Sequence, residues 1–364
     1  WCGIADAAWT AIGLAVGTYI NWLIVSKRLR RYSMRAGNAI TLPEYFSNRF
    51  HEKGKVIMTI AALFILIFFT VYAASCLVTC GKLFSTLFDM PYIPMMIVGA
   101  VFVLVYTLIG GFLAESASDF MQALVMIIAL GVIVFVGTTA AGGLDAVIDN
   151  VRSIPSFLEF FGIATPETVD GVQQVAAGTP LFGEGTSYGA LSVVSALAWG
   201  LGYFGVPQVL LRFMAIRSER ELTMSRRIAT VWVVISLTIA VFIGVVGRSL
   251  YPSALLTSSE AENVFILLAT SLLPPLLAGF VMAGILAATI SSSDSYLLIA
   301  ASAFSKNIYQ GLFRKKASDK EVLRVSRLTL LLIAVVAIVI ALDENSVIFT
   351  IVSFAWAGFG ATFG

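Results

Sequence analysis

Apolar residues in this chain come in long, nearly unbroken runs. Nine can be drawn, at 5–26, 56–82, 92–112, 116–139, 189–214, 228–250, 275–305, 328–342 and 346–362. Runs of about 20 residues match the length of an α-helix crossing the ~30 Å hydrocarbon core of a bilayer. They predict helices and not a β-barrel, whose strands would read as ten-residue segments of alternating polarity. The run 275–305 is longer, which predicts a tilted helix or one that extends past the bilayer. A polar stretch rich in Gly, Thr, Glu and Asp, 140–188, separates the fourth and fifth runs. Gly110-Gly111 reads as a turn between the third and fourth runs, and Leu273-Pro274-Pro275 marks entry to the seventh. Thr41-Leu42-Pro43-Glu44 reads as the start of a short helix on the membrane surface, with Thr41 as cap and Pro43 tolerated in the first turn.

Composition agrees with a lipid-facing chain. Residues are 59% hydrophobic and 12% charged, and mean hydropathy is +0.94, where soluble domains carry about 25% charged residues. If the nine runs alternate across the membrane, all of the 23 basic residues except Lys82, Arg152 and Arg248 fall on one side. The positive-inside rule makes that side cytoplasmic and the 140–188 stretch extracellular. The expected organisation is one transmembrane transporter domain over 1–364, embedded in the lipid bilayer. The chain opens on Trp1 and stops inside an apolar run at Gly364, with no signal peptide in view, so it reads as a fragment cut at both ends. The net charge of +2 points to no particular partner; no nucleic acid is expected, and the sequence does not specify an oligomeric state.

Enzyme chemistry finds no support. His51 is the single histidine and lies in a polar loop; Cys76 and Cys80 sit four apart on an apolar run, where they read as small packing residues. There is no paired Cys/His spacing for a catalytic metal and no nucleophile–base motif.

Three constellations carry candidate chemistry. The first is Ala288-Thr289-Ile290-Ser291-Ser292-Ser293-Asp294-Ser295 in the seventh run. Ala288, Ser291, Ser292 and Ser295 share one helical face, where hydroxyls and carbonyls can replace the water around a hard cation. A seam of small residues whose serines bond back to carbonyls fits the same spacing. Asp294 favours the cation, because a carboxylate at mid-membrane costs at least ~2.5–3.5 kcal/mol without a partner or a pathway. The second is Asp119 within Ser116-Ala117-Ser118-Asp119, read either as a helix N-terminal carboxylate or as a stop on a cation exit route. The third is Trp199-Gly200-Leu201-Gly202-Tyr203-Phe204-Gly205-Val206-Pro207. Its glycines and proline predict a broken helix, tolerated in lipid only against protein or a wet cavity. Trp199, Tyr203 and Pro207 recur every four residues, so their faces can line a solute site. Tight packing at a kink is the other reading of the glycines.

These residues resemble the sodium/solute symporter family, and within it the bacterial sodium/proline branch. The resemblance also rests on Leu42-Pro-x-Tyr-Phe46, Phe68-Phe-Thr-x-Tyr-x-Ala-Ser75, Tyr106-Thr-x-Ile-Gly-Gly-Phe-Leu-Ala114, Arg212-Phe-Met-Ala215 and Ala355-Trp-Ala-Gly-Phe-Gly-Ala361, which recur in order along the whole chain. It implies an all-α polytopic membrane protein with a LeuT-like inverted-repeat helical bundle, here lacking the first core helix, in the plasma (inner) membrane of a bacterium. It implies Na⁺ as the coupling ion, held by the Ala288 carbonyl and the Ser291 and Ser292 hydroxyls, with Asp119 tied to sodium transit. It implies a solute, proline, beside Trp199, Tyr203, Pro207 and Tyr72. Asp294 has no counterpart there and rests on the physical argument. Where proline symporters commonly read Gly-Gln-Pro-His, this chain reads Gly205-Val206-Pro207-Gln208, so two polar groups beside the pocket differ. The expected function is sodium-coupled uptake of proline by alternating access. A proton-coupled carrier of another solute, or a transporter-like sensor module joined to a signalling domain, are the alternatives.

Overall fold

A computed structural model describes residues 1–109 and 112–364, the side chains of 112–115 excepted. The turn expected at Gly110-Gly111 lies outside the described residues. In chain order the helices are α1 (Ala5–Arg35), α2 (Leu42–Arg49), α3 (Val56–Phe88), α4 (Tyr92–Ile109), α5 (Phe112–Ala140) and α6 (Leu144–Arg152). Short two-residue strands follow: β1 (Gly162–Ile163), β2 (Thr168–Val169), β3 (Val172–Gln173), β4 (Val175–Ala176), β5 (Thr179–Pro180) and β6 (Thr186–Ser187). Then come α7 (Ala190–Leu197), α8 (Trp199–Gly205), α9 (Pro207–Ala215), α10 (Glu219–Leu250), α11 (Ser258–Ala261), α12 (Val264–Leu272) and α13 (Pro275–Ser302). A π-helical segment, Ala303–Phe313, continues α13, and α14 (Asp319–Ile340) and α15 (Ile348–Phe363) complete the chain.

Among the described residues, seven helices are long and apolar enough to cross a bilayer: α1, α3, α4, α5, α10, α13 with its π-helical continuation, and α14. The fifth apolar run is a bent pair, Ala190–Gly205 and Pro207–Ala215, with 42° between its halves, and α15 is a shorter apolar helix. Large apolar side chains stand uncovered in helical stripes, such as Ile228, Val231 and Ile235 on α10, and Leu328, Leu332, Val335 and Val339 on α14. In water such stripes would be an aggregation hazard; in a bilayer they are the lipid face. The long seventh run keeps α-helical geometry to Ser302 and only then widens to the π form. Thr41 caps α2 as its sequence predicts, accepting from the Glu44 N–H at 3.3 Å, while the Glu44 carboxylate takes the N–H of Ile40 at 3.1 Å.

The chain divides into two compact units. One comprises Trp1–Ala15, Met121–Gly200 and Val231–Ala288; the other comprises Val16–Phe120, Leu201–Thr230 and Thr289–Gly364. The first holds the polar stretch. Its strands pair antiparallel as β1 with β6, β2 with β3 and β4 with β5. Side chains tie it to the helices of the same unit: Trp9 Nε1–H donates to the Phe160 carbonyl at 2.7 Å, and the Tyr188 hydroxyl donates to Asp6 Oδ1 at 2.6 Å. Arg248 of α10 donates to the Pro252 carbonyl at 2.7 Å and to Gln173 Oε1 at 3.2 Å, and stacks over the Phe182 ring.

The second unit is organised around α3, which packs against α2, α4, α14, α15 and the π-helical segment. From Phe69 to Leu83 its buried residues go round the helix, while in its first half Val56, Ile60, Leu63 and Ile67 stand exposed and apolar, so neither half shows a polar face. Cys76 and Cys80 are free thiols buried in this packing. On α8, small residues set the distance to α15. A Cβ on Gly202 would overlap the Trp356 ring, and one on Gly205 would overlap the Phe359 carbonyl. Gly205→Val is therefore expected to destabilise by about 1–3 kcal/mol through overpacking. Gly244→Ala, on α10 with open space at its Cβ, is expected to be neutral or mildly stabilising. Thermal unfolding of the two variants in detergent checks the contrast.

Candidate ion and solute site

The site is built from α9 and from the parts of α5 and α13 that belong to the second unit. Asp119 lies well inside α5, beyond the first turn in which the helix dipole acts. Its partners explain it better than the dipole does. The Ser291 hydroxyl donates to Asp119 Oδ1 at 2.5 Å, and Arg212 Nη2 donates to Asp119 Oδ2 at 2.5 Å. The carboxylate is 12% exposed and the guanidinium 46%, so this is a half-shielded pair and not a surface one. Arg212 also reaches the Ser295 hydroxyl at 3.5 Å, and Ser295 Oγ–H donates to the Ser291 carbonyl at 3.3 Å. Ser291 and Ser295, one turn apart on α13, thus share a charged cluster with Asp119. The helical periodicity of α13 places them together, on the face that the sequence pattern predicts.

Other residues of the same set take different positions. Ser292 is half-buried and stands one turn before the buried Tyr296. Asp294 is buried at 1% exposure, and its Oδ1 accepts from the Ser295 N–H at 2.7 Å. Ala288 is half-buried in the middle of α13.

Beside the cluster is a cavity of about 500 Å³, within the ~300–1,000 Å³ range of small-molecule sites. Pro207, Gln208, Leu211 and Arg212 of α9 line it, with Ser295, Ile299 and Ser302 of α13. Arg30 and the chain from Asn38 to Pro43 close its other side. Pro207 and Ser295, placed by the sequence in the solute and ion sets respectively, therefore meet on one wall. Gln208 Oε1 is buried without a hydrogen-bond partner among the described residues, which makes it an available acceptor.

Tyr72 and Tyr203 belong to an aromatic group that the sequence alone does not complete. Trp356 Nε1–H donates to the Tyr72 hydroxyl at 2.8 Å, and the Trp356 ring meets Tyr203 edge-on at 4.9 Å. Tyr72 stacks on Tyr296 at 4.0 Å. Trp199 opens α8 and is half-buried. Trp356 and Arg212 are the residues that sequence reasoning passes over as site members. Both stand inside motifs already singled out, but an arginine at the basic end of a run and a tryptophan among glycines carry no spacing signal for a pocket.

The arrangement offers hard oxygen donors, carboxylate and hydroxyl, on membrane-crossing helices. That donor set suits an alkali cation and lacks the nitrogen or sulfur that transition metals favour. No group of three or more His, Cys, Asp or Glu residues able to hold a metal occurs among the described residues. With a solute-sized cavity beside the donors, the geometry is that of a multi-pass membrane carrier.

Comparison with known proteins narrows the class. A family model described as the sodium:solute symporter family matches residues 2–364. The chain is 38% identical over 357 residues to the osmoregulated proline transporter OpuE of Bacillus subtilis, covering 98% of this chain and 68% of that protein. It is 38% identical over 360 residues to the high-affinity proline transporter PutP of the same organism, covering 99% and 71%. It is 40% identical over 365 residues to a sodium/proline symporter of Haemophilus influenzae, covering 98% and 68%. Among solved structures, a Na⁺-coupled sialic acid symporter in a substrate-bound outward-open state aligns with a TM-score of 0.73 at 17% identity, over 99% of this chain and 75% of that one. The chain belongs to the sodium:solute symporter family. Its fold is the LeuT-like helical bundle expected from the resemblance, and its relatives are transporters and not enzymes.

The bond between Trp356 and Tyr72 gives a direct test of the aromatic group. Tyr72→Phe removes the hydrogen bond and is expected to cost about 1 kcal/mol; Trp356→Phe removes the same bond and part of the indole's packing against Tyr203, and is expected to cost more. Because the bond can be lost only once, the double variant is expected to cost about 1 kcal/mol less than the sum of the two. Denaturant unfolding in micelles measures all three.

Proposed function

We propose that the full-length protein takes up proline, coupled to inward movement of Na⁺, across the plasma membrane of a bacterium. The observation that carries this is that Ser295 and Arg212, bonded into one cluster with Asp119 and Ser291, also line a solute-sized cavity with Pro207 and Gln208. The names of the bacterial relatives support proline as the solute and sodium as its partner.

In this reading Na⁺ enters beside Ser291 and Ser292, with the Ala288 carbonyl as a further ligand, and Asp119 and Ser295 lie on its way to the cytoplasm. Asp294 sets a negative potential deep in α13. The solute lies against Trp199, Tyr203, Pro207 and Tyr72. Gln208 Oε1 offers an acceptor for its charged nitrogen. The cavity is lined by Arg30, Arg212 and the chain before α2, which the positive-inside rule places toward the cytoplasm, so it serves as the inner exit. One Na⁺ moving inward gains about 2.3 kcal/mol per 100 mV. A tenfold solute gradient requires about 1.4 kcal/mol, so one ion per solute is sufficient.

Uptake of labelled proline by the full-length protein, with Na⁺ replaced by choline, tests the reading. Loss of uptake in choline is the expected result; uptake that follows pH and ignores Na⁺ would assign the coupling to a proton. Ser291→Ala and Ser292→Ala are expected to raise the Na⁺ needed for half-maximal uptake several-fold, and unchanged sodium dependence would remove those hydroxyls from the ion site. Trp199→Ala is expected to raise the KM for proline more than the sodium requirement.

A further inference from the structure

Pro207 has no backbone N–H. In a continuous helix that N–H would bond the carbonyl of Tyr203, four residues earlier, so the proline leaves this carbonyl without its backbone donor. The chain passes from α8 to α9 here. Val206 is extended, at φ −68° and ψ 114°, its N–H still reaches the Gly202 carbonyl at 3.0 Å, and the two halves bend by 42°. The Tyr203 carbonyl accepts instead from Asn21 Nδ2 on α1, at 2.7 Å. Because the acceptor is a carbonyl, the amide must present its nitrogen, which fixes its orientation.

Asn21 is an unusual residue for its place. It lies in the first apolar run with 0% exposure, and its Oδ1 has no hydrogen-bond partner among the described residues. A leucine would be the cheaper occupant of such a position unless the bond that the amide nitrogen makes is needed. That bond goes to the carbonyl that the proline orphans.

We propose that Asn21 is a positioning residue for the solute site: its amide stands in for the missing N–H of Pro207 and holds the angle of the α8–α9 break. It acts through backbone and does not touch the solute. What it holds in place is Tyr203, whose ring meets Trp356, and Pro207, on the cavity wall. The inference deepens the transport reading and rests on it for the role of those two residues.

The test uses the full-length protein. Asn21→Leu keeps the branched shape and heavy-atom count and removes the donor; it is expected to raise the KM for proline about tenfold while the sodium requirement and kcat stay within about twofold, the pattern of a lost binding geometry and not of a misfolded carrier. Asn21→Gln keeps the amide and is expected to recover most of that loss. Pro207→Ala restores the backbone N–H, so adding Asn21→Leu in that background is expected to change KM by less than about twofold, a non-additive pair. Equal effects of Asn21→Leu in both backgrounds, or no effect in either, would overturn the proposal. Absence of sodium-driven proline uptake by the unaltered protein would instead count against the transport reading. The clamp is then read by thiol labelling of Leu211→Cys, on the cavity wall one turn past Pro207. A labelling rate that Asn21→Leu changes, and that Pro207→Ala makes insensitive to it, supports the clamp; a rate indifferent to Asn21→Leu overturns it.

Discussion

Hydrocarbon offers no hydrogen bonds, so a backbone or charged group on the inside of this chain is costly unless another part of the chain answers it. That constraint explains the helices, and it also explains where the exceptions fall. The fifth apolar run breaks at Pro207, and the break is tolerated because Asn21 meets the Tyr203 carbonyl and because Gly202 and Gly205 let α15 close over α8. The same accounting ties Asp119 to Arg212 and Ser291. In each case the polar group is paired across helices within one unit, and the pairing holds together elements that are far apart in sequence.

Much of the fold is legible in the chain because its strongest signal is the simplest one. Apolar runs of about 20 residues survive any uncertainty about boundaries, and within the described residues each of the nine falls on a helix or, for the fifth, on a bent helical pair. The break itself is readable from Gly202, Gly205 and Pro207. Its two rival explanations, a lined cavity and close packing, turn out to be compatible: Pro207 lines the cavity while the glycines admit Trp356 and Phe359. The hairpins of the 140–188 stretch are not legible, since strands of two residues are too short to show an alternation.

The site is legible where periodicity decides it and opaque where tertiary contact does. Ser291 and Ser295 share a face because about 3.6 residues make a turn, and they join the same charged cluster. That its carboxylate would be Asp119, 172 residues away from Ser291, has no trace in either local sequence. Arg212 reads as one more basic residue at the end of a run, and Trp356 as an aromatic among glycines. Their roles exist only once α9 approaches α5 and α15 approaches α3. Asn21 is a sharper instance: a single asparagine in an apolar run is a signal, but its meaning requires knowing which carbonyl lacks a donor.

Within the proposed coupling, Arg212 bears on how tightly an ion can be held. A carboxylate alone among apolar helices would bind a cation strongly and release it slowly, because nothing else in a low-dielectric setting competes for the charge. With the guanidinium already in contact, an arriving Na⁺ has to share Asp119 or displace part of its bonding, and the net attraction is correspondingly smaller. The displaced arginine need not travel far, since Ser295 offers it a second contact on the same side. A carrier needs this compromise: affinity sufficient to load from outside, and a ready competitor on the inner side to let the ion go. On that view Arg212 is more than a charge balance for a half-shielded acid. It is the group that keeps the ion site from becoming a trap.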